Sequence, residues 1–434
     1  MSNSIIPPES ANSDAVPPQW LDQLARKWFF PLLHRLQYGK ITLIEGHQQQ
    51  SFGQQTEDVA LQATITVHHP RFYSRVVFGG TIGAAEAYMA GYWTTDDLTT
   101  VVRIVLRNQA LFGTIDSGWA KLTKPAYKLY HYLHKDTKAG SRINIAAHYD
   151  LGNDFYRLFL DETLTYSCGI FETASSSLTE ASVAKYDRLC QKLQLSQHDH
   201  VLEIGTGWGG FAVHAATHYG CRITTTTISR QQYEFAQERF RQAGITDRVE
   251  LLYEDYRDLK GTYTKLVSIE MIEAVGYQYF ETFFKVCSDC LKPDGMMAIQ
   301  AITIADHAFE RHKRSVDFIK RYIFPGSCIP SVTALCQAMA RVTDLRLVHL
   351  EDITPHYATT LRMWRERLFQ HLDQVRELGY SDTFIRMWDY YFSYCEAGFT
   401  ERYLGDVHLL FTKPLCRRSP ILPPLSAAEP IVRH

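Results

Sequence analysis

Val201-Leu-Glu-Ile-Gly-Thr-Gly-Trp-Gly-Gly210 decides how this chain folds. An apolar run carrying one acid, Glu203, leads into Gly-x-Gly-x-Gly, and a helix-like segment follows. This is the pattern of a buried strand that turns sharply into a helix whose unpaired N–H groups face a ligand. Glycine loops occur in many α/β folds, so the meaning of this one depends on its surroundings.

Outward from the loop the pattern is regular. Apolar strands at 201–204, 221–228, 249–252, 264–270 and 295–304 alternate with helical stretches at 208–218, 230–243 and 277–291. That alternation predicts a doubly wound α/β domain over 143–414, with ligands at the carboxyl ends of the strands. Helical segments at 306–322 and 331–341 interrupt it and are expected to form a cap insertion. The apolar run Asp406 to Thr412, ending at Pro414, suits an edge strand. Residues 19–120 read as a smaller mixed α+β unit, strand-like at 41–46 and 60–68 and helical at 83–90 and 99–108. Residues 1–18 and 415–434, rich in Pro and polar residues, are expected to be disordered. Between the two units, 121–142 is a basic connector carrying Lys121, Lys124, Lys128, Lys135, Lys138 and Arg142 against Asp136 alone.

Composition removes several classes. With 45 Lys+Arg against 47 Asp+Glu the formal net charge is −2, which gives no footprint for nucleic acid. No run of about eighteen apolar residues occurs, and Met1 to Trp20 is polar and proline-bearing. A cytoplasmic chain follows, with any contact to the inner face of the cytoplasmic membrane peripheral. The nine cysteines are scattered; Cys287-Ser-Asp-Cys290 has no second pair near it, so reduced thiols are expected and no metal. The 25 Tyr, 23 Phe and 7 Trp point to large apolar pockets.

The loop's ligand follows from its flanks. The third glycine, Gly209, falls earlier than in a dinucleotide fingerprint, and Trp208 sits inside the turn. The second strand ends Thr226-Thr227-Ile228-Ser229 with Gln232 following, where a dinucleotide fold carries an acid for the ribose. After the third strand come Asp255 and Tyr256, an acid and a ring suited to an adenine amine and face. Glu203, Gly205, Gly207, Trp208, Gly209, Thr227, Gln232, Asp255 and Tyr256 together look like the site of a class I S-adenosylmethionine (SAM) methyltransferase, a Rossmann-like seven-stranded fold.

Six blocks, the glycine loop among them, resemble the cyclopropane-fatty-acyl-phospholipid synthase family, which includes the mycolic acid cyclopropane synthases. They are 148–155, Tyr166-Ser-Cys-Gly169, 202–210, Glu270-Met-Ile-Glu-Ala-Val-Gly276, Tyr322-Ile-Phe-Pro-Gly326 and His356-Tyr-Ala-Thr-Thr-Leu361. Residues 83–97 resemble the family's smaller lipid-handling domain. The resemblance implies transfer of the SAM methyl carbon to a cis double bond of a phospholipid acyl chain, through a carbocation. A base, thought in this family to be bound bicarbonate, would then close the ring. It also implies that Cys168 (through its backbone), Glu273 and Tyr357 hold that ion, that Tyr166 and Ser167 touch the methionine part of SAM, and that the protein is a homodimer on a phospholipid bilayer. Cys395 stands where relatives carry a cysteine near the pocket and is read as packing.

Two positions depart from the best-known bacterial members. Gln300 stands where they have a histidine among the groups around the anion; glutamine donates an N–H but carries neither proton nor charge. Glu270 stands where they have glycine, and Ala274 where a histidine follows the glutamate. Some relatives end in a methylene or methyl branch, so the resemblance leaves ring and branch both open. The basic connector, or the cluster Arg311-His-Lys-Arg314 with Lys320 and Arg321, is expected to meet the bilayer.

Overall fold

The computed structural model describes residues 20–54, 61–112 and 151–421. The expectations for 1–18, for the connector 121–142 and for the tail beyond 421 lie outside the described residues.

In the first unit, α1 (Trp20–Leu33) precedes a four-stranded sheet of order β2-β1-β3-β4, built from β1 (Gly39–Glu45), β2 (Gln48–Gln54), β3 (Gln62–Val67) and β4 (Trp93–Thr95). Strand β2 escapes a pattern reading because Gln48-Gln-Gln-Ser-Phe-Gly-Gln54 buries only Phe52. Helix α2 (Arg71–Met89) is longer than its predicted portion and kinks at Gly80, and α3 (Leu98–Arg107) starts on an Asp97 cap that accepts from Thr100 N at 3.0 Å.

The second unit continues with α4 (Asn153–Phe159), α5 (Leu178–Leu193), β5 (His200–Ile204), α6 (Gly210–His218), β6 (Arg222–Thr226), α7 (Arg230–Gln242), β7 (Val249–Leu252), β8 (Tyr263–Ile269), α8 (Phe280–Cys290) and β9 (Leu291–Ile304). Then follow α9 (Asp306–His312), a π-helical turn (Ile319–Ile323), α10 (Val332–Val342), β10 (Arg346–Asp352), α11 (Thr354–Gln370), α12 (Leu372–Glu377), α13 (Asp382–Thr400) and β11 (Leu404–Thr412). The seven strands run β10-β11-β9-β8-β5-β6-β7. Strands β5 to β9 are parallel, and β11 lies antiparallel between β9 and β10. The sheet is thus the expected doubly wound one. The edge assignment of 406–412 is corrected: β11 is buried along nearly its whole length, and the edge belongs to β10, whose exposure alternates because it pairs on one side only.

Two further expectations change. Of the two cap segments, the first reaches the central cavity, whereas α10 packs on α8 through Leu335, Ala338 and Met339 against Phe283 and Phe284. Residues 415–421 lie against the domain: Leu415 N donates to Pro293 O (3.0 Å) and the Arg418 guanidinium to Lys192 O (2.5 Å).

Helices α11 and α13 join the two units. Their aromatic residues, with Trp364 and Trp388 fully buried, share one core with Phe72, Tyr73 and Trp93 of the first unit. Each such side chain contributes roughly 1.5–3 kcal/mol by leaving water. Asp389 of α13 accepts from Tyr88 Oη and Arg365 Nε, both at 2.5 Å, and Glu401 pairs with Arg103 and Arg107.

Candidate active site

At the carboxyl end of β5 the chain turns through Gly205 (φ 101°) and Gly207 (φ 53°), left-handed conformations that glycine takes without cost. Gly205 N and Thr206 N both donate to Thr226 O, at 3.1 and 3.0 Å, fastening the loop to β6. A Cβ on Gly207 would meet nothing within 4 Å, so the loop's backbone faces open space. Gly209 has another role than the one expected. It lies off the cavity, and a Cβ there would come within 2.7 Å of Phe240 Cε1 on α7, so its smallness serves helix packing.

Around the loop, Glu203, Gly205, Gly207, Trp208, Thr227, Gln232, Asp255 and Tyr256 line one end of a cavity of about 1130 Å³. Trp208 donates its indole N–H to Asn153 Oδ1 (2.8 Å) and lies 4.9 Å from the Tyr156 ring. Burial pushes the Glu203 carboxyl up to about 8, with Thr225 Oγ1 donating to it at 2.6 Å. Thr227 Oγ1 donates to Gln232 Oε1 at 2.9 Å. The expected adenine-facing acid is already engaged: Asp255 takes two bonds of 2.7 Å from Arg257. The neighbouring Tyr256 hydroxyl is buried without a hydrogen-bond partner. An exposed loop backbone, an unused hydroxyl and polar side chains lining one cavity fit the nucleoside and amino-acid ends of SAM.

Three carboxyl groups converge beside the cavity, of which Glu270 and Glu273 line it. Glu270 follows β8 with φ 46°, a left-handed backbone that costs a side-chain-bearing residue about 1 kcal/mol. Its Oε1 accepts from Cys168 N (2.8 Å) and Gln300 Nε2 (2.7 Å), and its Oε2 from Tyr357 Oη (2.6 Å). Burial raises its carboxyl above the usual range; the charge of Lys185 and these three donors oppose that rise. Glu273 accepts from Ile302 N at 2.5 Å through Oε1, while its Oε2 is buried without a partner. Burial, then the charge of Glu270, pushes Glu273 up to about 8. Asp406 of β11 accepts from Gln300 Nε2 at 3.2 Å, and burial, then the charges of Glu270 and Glu273, raise its carboxyl well above its ordinary value.

This arrangement corrects the expected anion site. Cys168 and Tyr357 do converge on a carboxylate, but that carboxylate is Glu270, not a bicarbonate shared with Glu273. Bicarbonate does not fit: the Cys168 N–H and Tyr357 O–H meant for it are taken by Glu270, whose carboxylate would repel a second anion beside it. Gln300 is fully buried and supplies the expected N–H; its Oε1 lies 3.1 Å from His408 Nε2 on the paired strand.

Tyr166 donates to Tyr391 Oη at 3.0 Å. Ser167 Oγ accepts from Lys185 Nζ at 2.6 Å, and both Tyr166 and Ser167 line the cavity. The Cys168 thiol is buried away from the cavity and donates to Gly169 O (3.2 Å), so only its backbone serves the site. Cys395 lines the cavity, and burial raises its thiol far above neutrality, which suits packing. Sequence reading missed Glu270 as a site residue, and with it Lys185, Asp406 and His408. Lys185 betrays itself between Ala181 and Leu189 on the buried face of α5. Asp406 and His408 are polar residues two apart within an otherwise apolar strand.

The opposite wall of the cavity is apolar and comes from the first unit: Ile82, Trp93, Val101, Val102, Val105 and Leu106. The basic cluster beside it is largely spent. Lys313 and Arg314 pair with Glu310, Arg321 pairs with Glu86, and Lys320 is buried on the carbonyls of His312 and Ser315. Arg311 alone among them stays exposed with no ion pair among the described residues. No helix among those residues is long and apolar enough to cross a membrane.

Comparisons with known proteins identify the family and the fold. The family model for mycolic acid cyclopropane synthetase matches residues 136–409. The chain is 40% identical over 359 residues to the tuberculostearic acid methyltransferase UfaA1 of Mycobacterium tuberculosis, covering 80% of this chain and 82% of that one. It is 33% identical over 356 residues to the cyclopropane-fatty-acyl-phospholipid synthase of Escherichia coli (81% and 88%). The solved mycolic acid cyclopropane synthase CmaA1, complexed with SAH and CTAB, superposes with a TM-score of 0.59 at 29% identity, over 63% of this chain and 98% of that one. The chain therefore belongs to the mycolic acid cyclopropane synthetase family and is a SAM-dependent methyltransferase that acts on lipid acyl chains.

Proposed function

We propose that this enzyme transfers the methyl carbon of SAM to the cis double bond of an unsaturated acyl chain in a membrane phospholipid and closes the adduct to a cyclopropane. The observation that carries this reading is a single cavity with three parts: a polar end at the glycine loop, an apolar wall from α2 and α3, and a carboxyl cluster between them. Bound SAM supplies a sulfonium-activated methyl group. The loop with Thr227 and Gln232 holds that donor, while Val101, Val102, Val105 and Leu106 lay the acyl chain alongside. In-line placement matters because an alkene is a weak nucleophile. The resulting cation needs a dry pocket and aromatic faces; Tyr166, Tyr357 and Tyr391 supply them. A carboxylate of the cluster then takes a proton from the transferred methyl group, and the electron pair of that C–H bond closes the ring.

A second reading is a methylene-branched product, favoured by the higher identity to a methyltransferase named for tuberculostearic acid. It loses a proton from the same carbon after a hydride shift along the chain, so one site serves either outcome. The test is purified enzyme with SAM and dioleoyl-phospholipid vesicles. Acyl chains one methylene heavier that resist mild hydrogenation support the ring, and chains that take up hydrogen support the branch. No mass gain with enzyme that binds SAM refutes both. The connector Lys121–Arg142 is the proposed bilayer contact, and the family resemblance implies a homodimer, which sedimentation velocity checks.

A further inference from the structure

We propose that the Glu270 carboxylate is itself the base that removes the proton from the transferred methyl group, so that this enzyme needs no exogenous anion. The inference rests on the lipid-alkylation reading above and names the residue that completes it.

Three donors on three separate elements converge on Glu270: Cys168 N, Gln300 Nε2 and Tyr357 Oη. Its Oε1 has two of them and Oε2 only one, and the residue lines the cavity. Oε2, which takes the fewer of these donors, is the oxygen that receives the proton in this proposal. The other carboxyls are unsuited. Asp406 does not line the cavity, and Glu273, raised to about 8, is mostly protonated at neutral pH. Burial raises Glu270 too, but it is the member on which the charge of Lys185 and three converging donors oppose that rise. Tethering by three donors also restrains the carboxylate from collapsing onto the cation as an ester. In the step, the Oε2–H bond forms as the methyl C–H bond breaks, and its electron pair makes the new carbon–carbon bond. The demethylated donor leaves neutral, and the proton on Glu270 passes to water when the product departs.

The left-handed backbone at Glu270 makes glycine a well-tolerated replacement, so Glu270→Gly opens the donor cradle without disturbing the fold. The experiment compares wild-type, Glu270→Gly and Glu270→Gln full-length enzymes on dioleoyl-phospholipid vesicles, in CO₂-stripped buffer and with added bicarbonate. SAM binding is measured for each by calorimetry. Wild-type turnover is expected to be indifferent to bicarbonate. Glu270→Gly should lose at least ~100-fold in stripped buffer, as removal of a general base does, and recover saturably as bicarbonate fills the cradle. Glu270→Gln, with the cradle blocked by an amide, should stay inactive at either condition. Rescue separates a base from a merely structural residue. Wild-type enzyme that stalls without bicarbonate overturns the proposal. So does a Glu270→Gly or Glu270→Gln variant that keeps more than a tenth of wild-type activity in stripped buffer, or a Glu270→Gly variant that binds SAM yet is not rescued. Should wild type make no lipid adduct at all, the alkylation reading fails and this one with it; an adduct that depends on bicarbonate refutes Glu270 alone.

Discussion

Replacing Tyr357 by phenylalanine removes one hydroxyl while leaving the ring stacked on Phe399, at 4.3 Å between centroids and 21° between planes. The lost group donates to Glu270 Oε2 at 2.6 Å. A hydrogen bond to a charged acceptor is worth about 1.5–3 kcal/mol net, and about 1.4 kcal/mol corresponds to one pKa unit. The Glu270 carboxyl, already raised by burial, should therefore rise by a further ~1–2 units. A base must be ionised to act, so the acid limb of the pH–rate profile should move to higher pH by that amount. At a fixed pH on that limb the rate should fall ~10- to 100-fold, and it should recover as the pH is raised. Initial rates of S-adenosylhomocysteine formation on vesicles, from about pH 6 to 9.5, give the profile. Thermal stability should barely change, because the ring stack survives. A limb that stays put, with a loss equal at every pH, would show that Tyr357 does not act through Glu270. That result is what a Glu273 base gives, since Tyr357 donates to Glu270 rather than to Glu273.

Glu203, whose folded value is about 8 against 4.5, takes up a proton on folding. Its stabilising contribution is complete below 4.5 and is lost as pH climbs through 8. Glu203→Gln should flatten the fall in unfolding free energy over that window by up to ~1.4 kcal/mol per pH unit, and parallel curves for the two proteins contradict this. Gly209→Ala forces a Cβ to 2.7 Å from Phe240 at φ 84° and should lower stability by about 1–3 kcal/mol in urea titration; an unchanged midpoint sinks the packing role. Val105→Trp narrows the apolar wall and should cut turnover on long acyl chains while SAM affinity holds; equal loss of both would place Val105 elsewhere than beside the acyl chain. Recruitment to anionic vesicles should weaken as salt rises, and indifference to salt and to anionic lipid counts against the basic connector as the contact.

The sheet was legible in the sequence because a parallel strand buried on both faces must be a near-continuous apolar run, and Val201 to Ile204, Leu266 to Ile269 and Met297 to Ile304 are such runs. Helix α13 was not read out, since every residue from Trp388 to Ser393 is buried and this hides the amphipathic period that marks a surface helix. Helix α11 was passed over although its buried residues, at 354, 357, 360, 361, 364 and 368, keep helical spacing. Strand β11 passed for an edge for another reason: strand order is a pairing between segments far apart in the chain, and an apolar run followed by proline does not encode it.

By itself the sequence determined the methyltransferase core, the glycine loop and the polar residues that line the cavity beside it, because local periodicity and turn chemistry are properties of neighbours along the chain. Only the tertiary structure decided which carboxylate Cys168 and Tyr357 serve. Those contacts span 102 and 87 residues and depend on a left-handed turn at Glu270 that aims its side chain into their donors. A glutamate where relatives have glycine reads in the sequence as a departure. In three dimensions it fills the cradle those donors make, because buried N–H and O–H groups must find an acceptor and Glu270 is the one within reach.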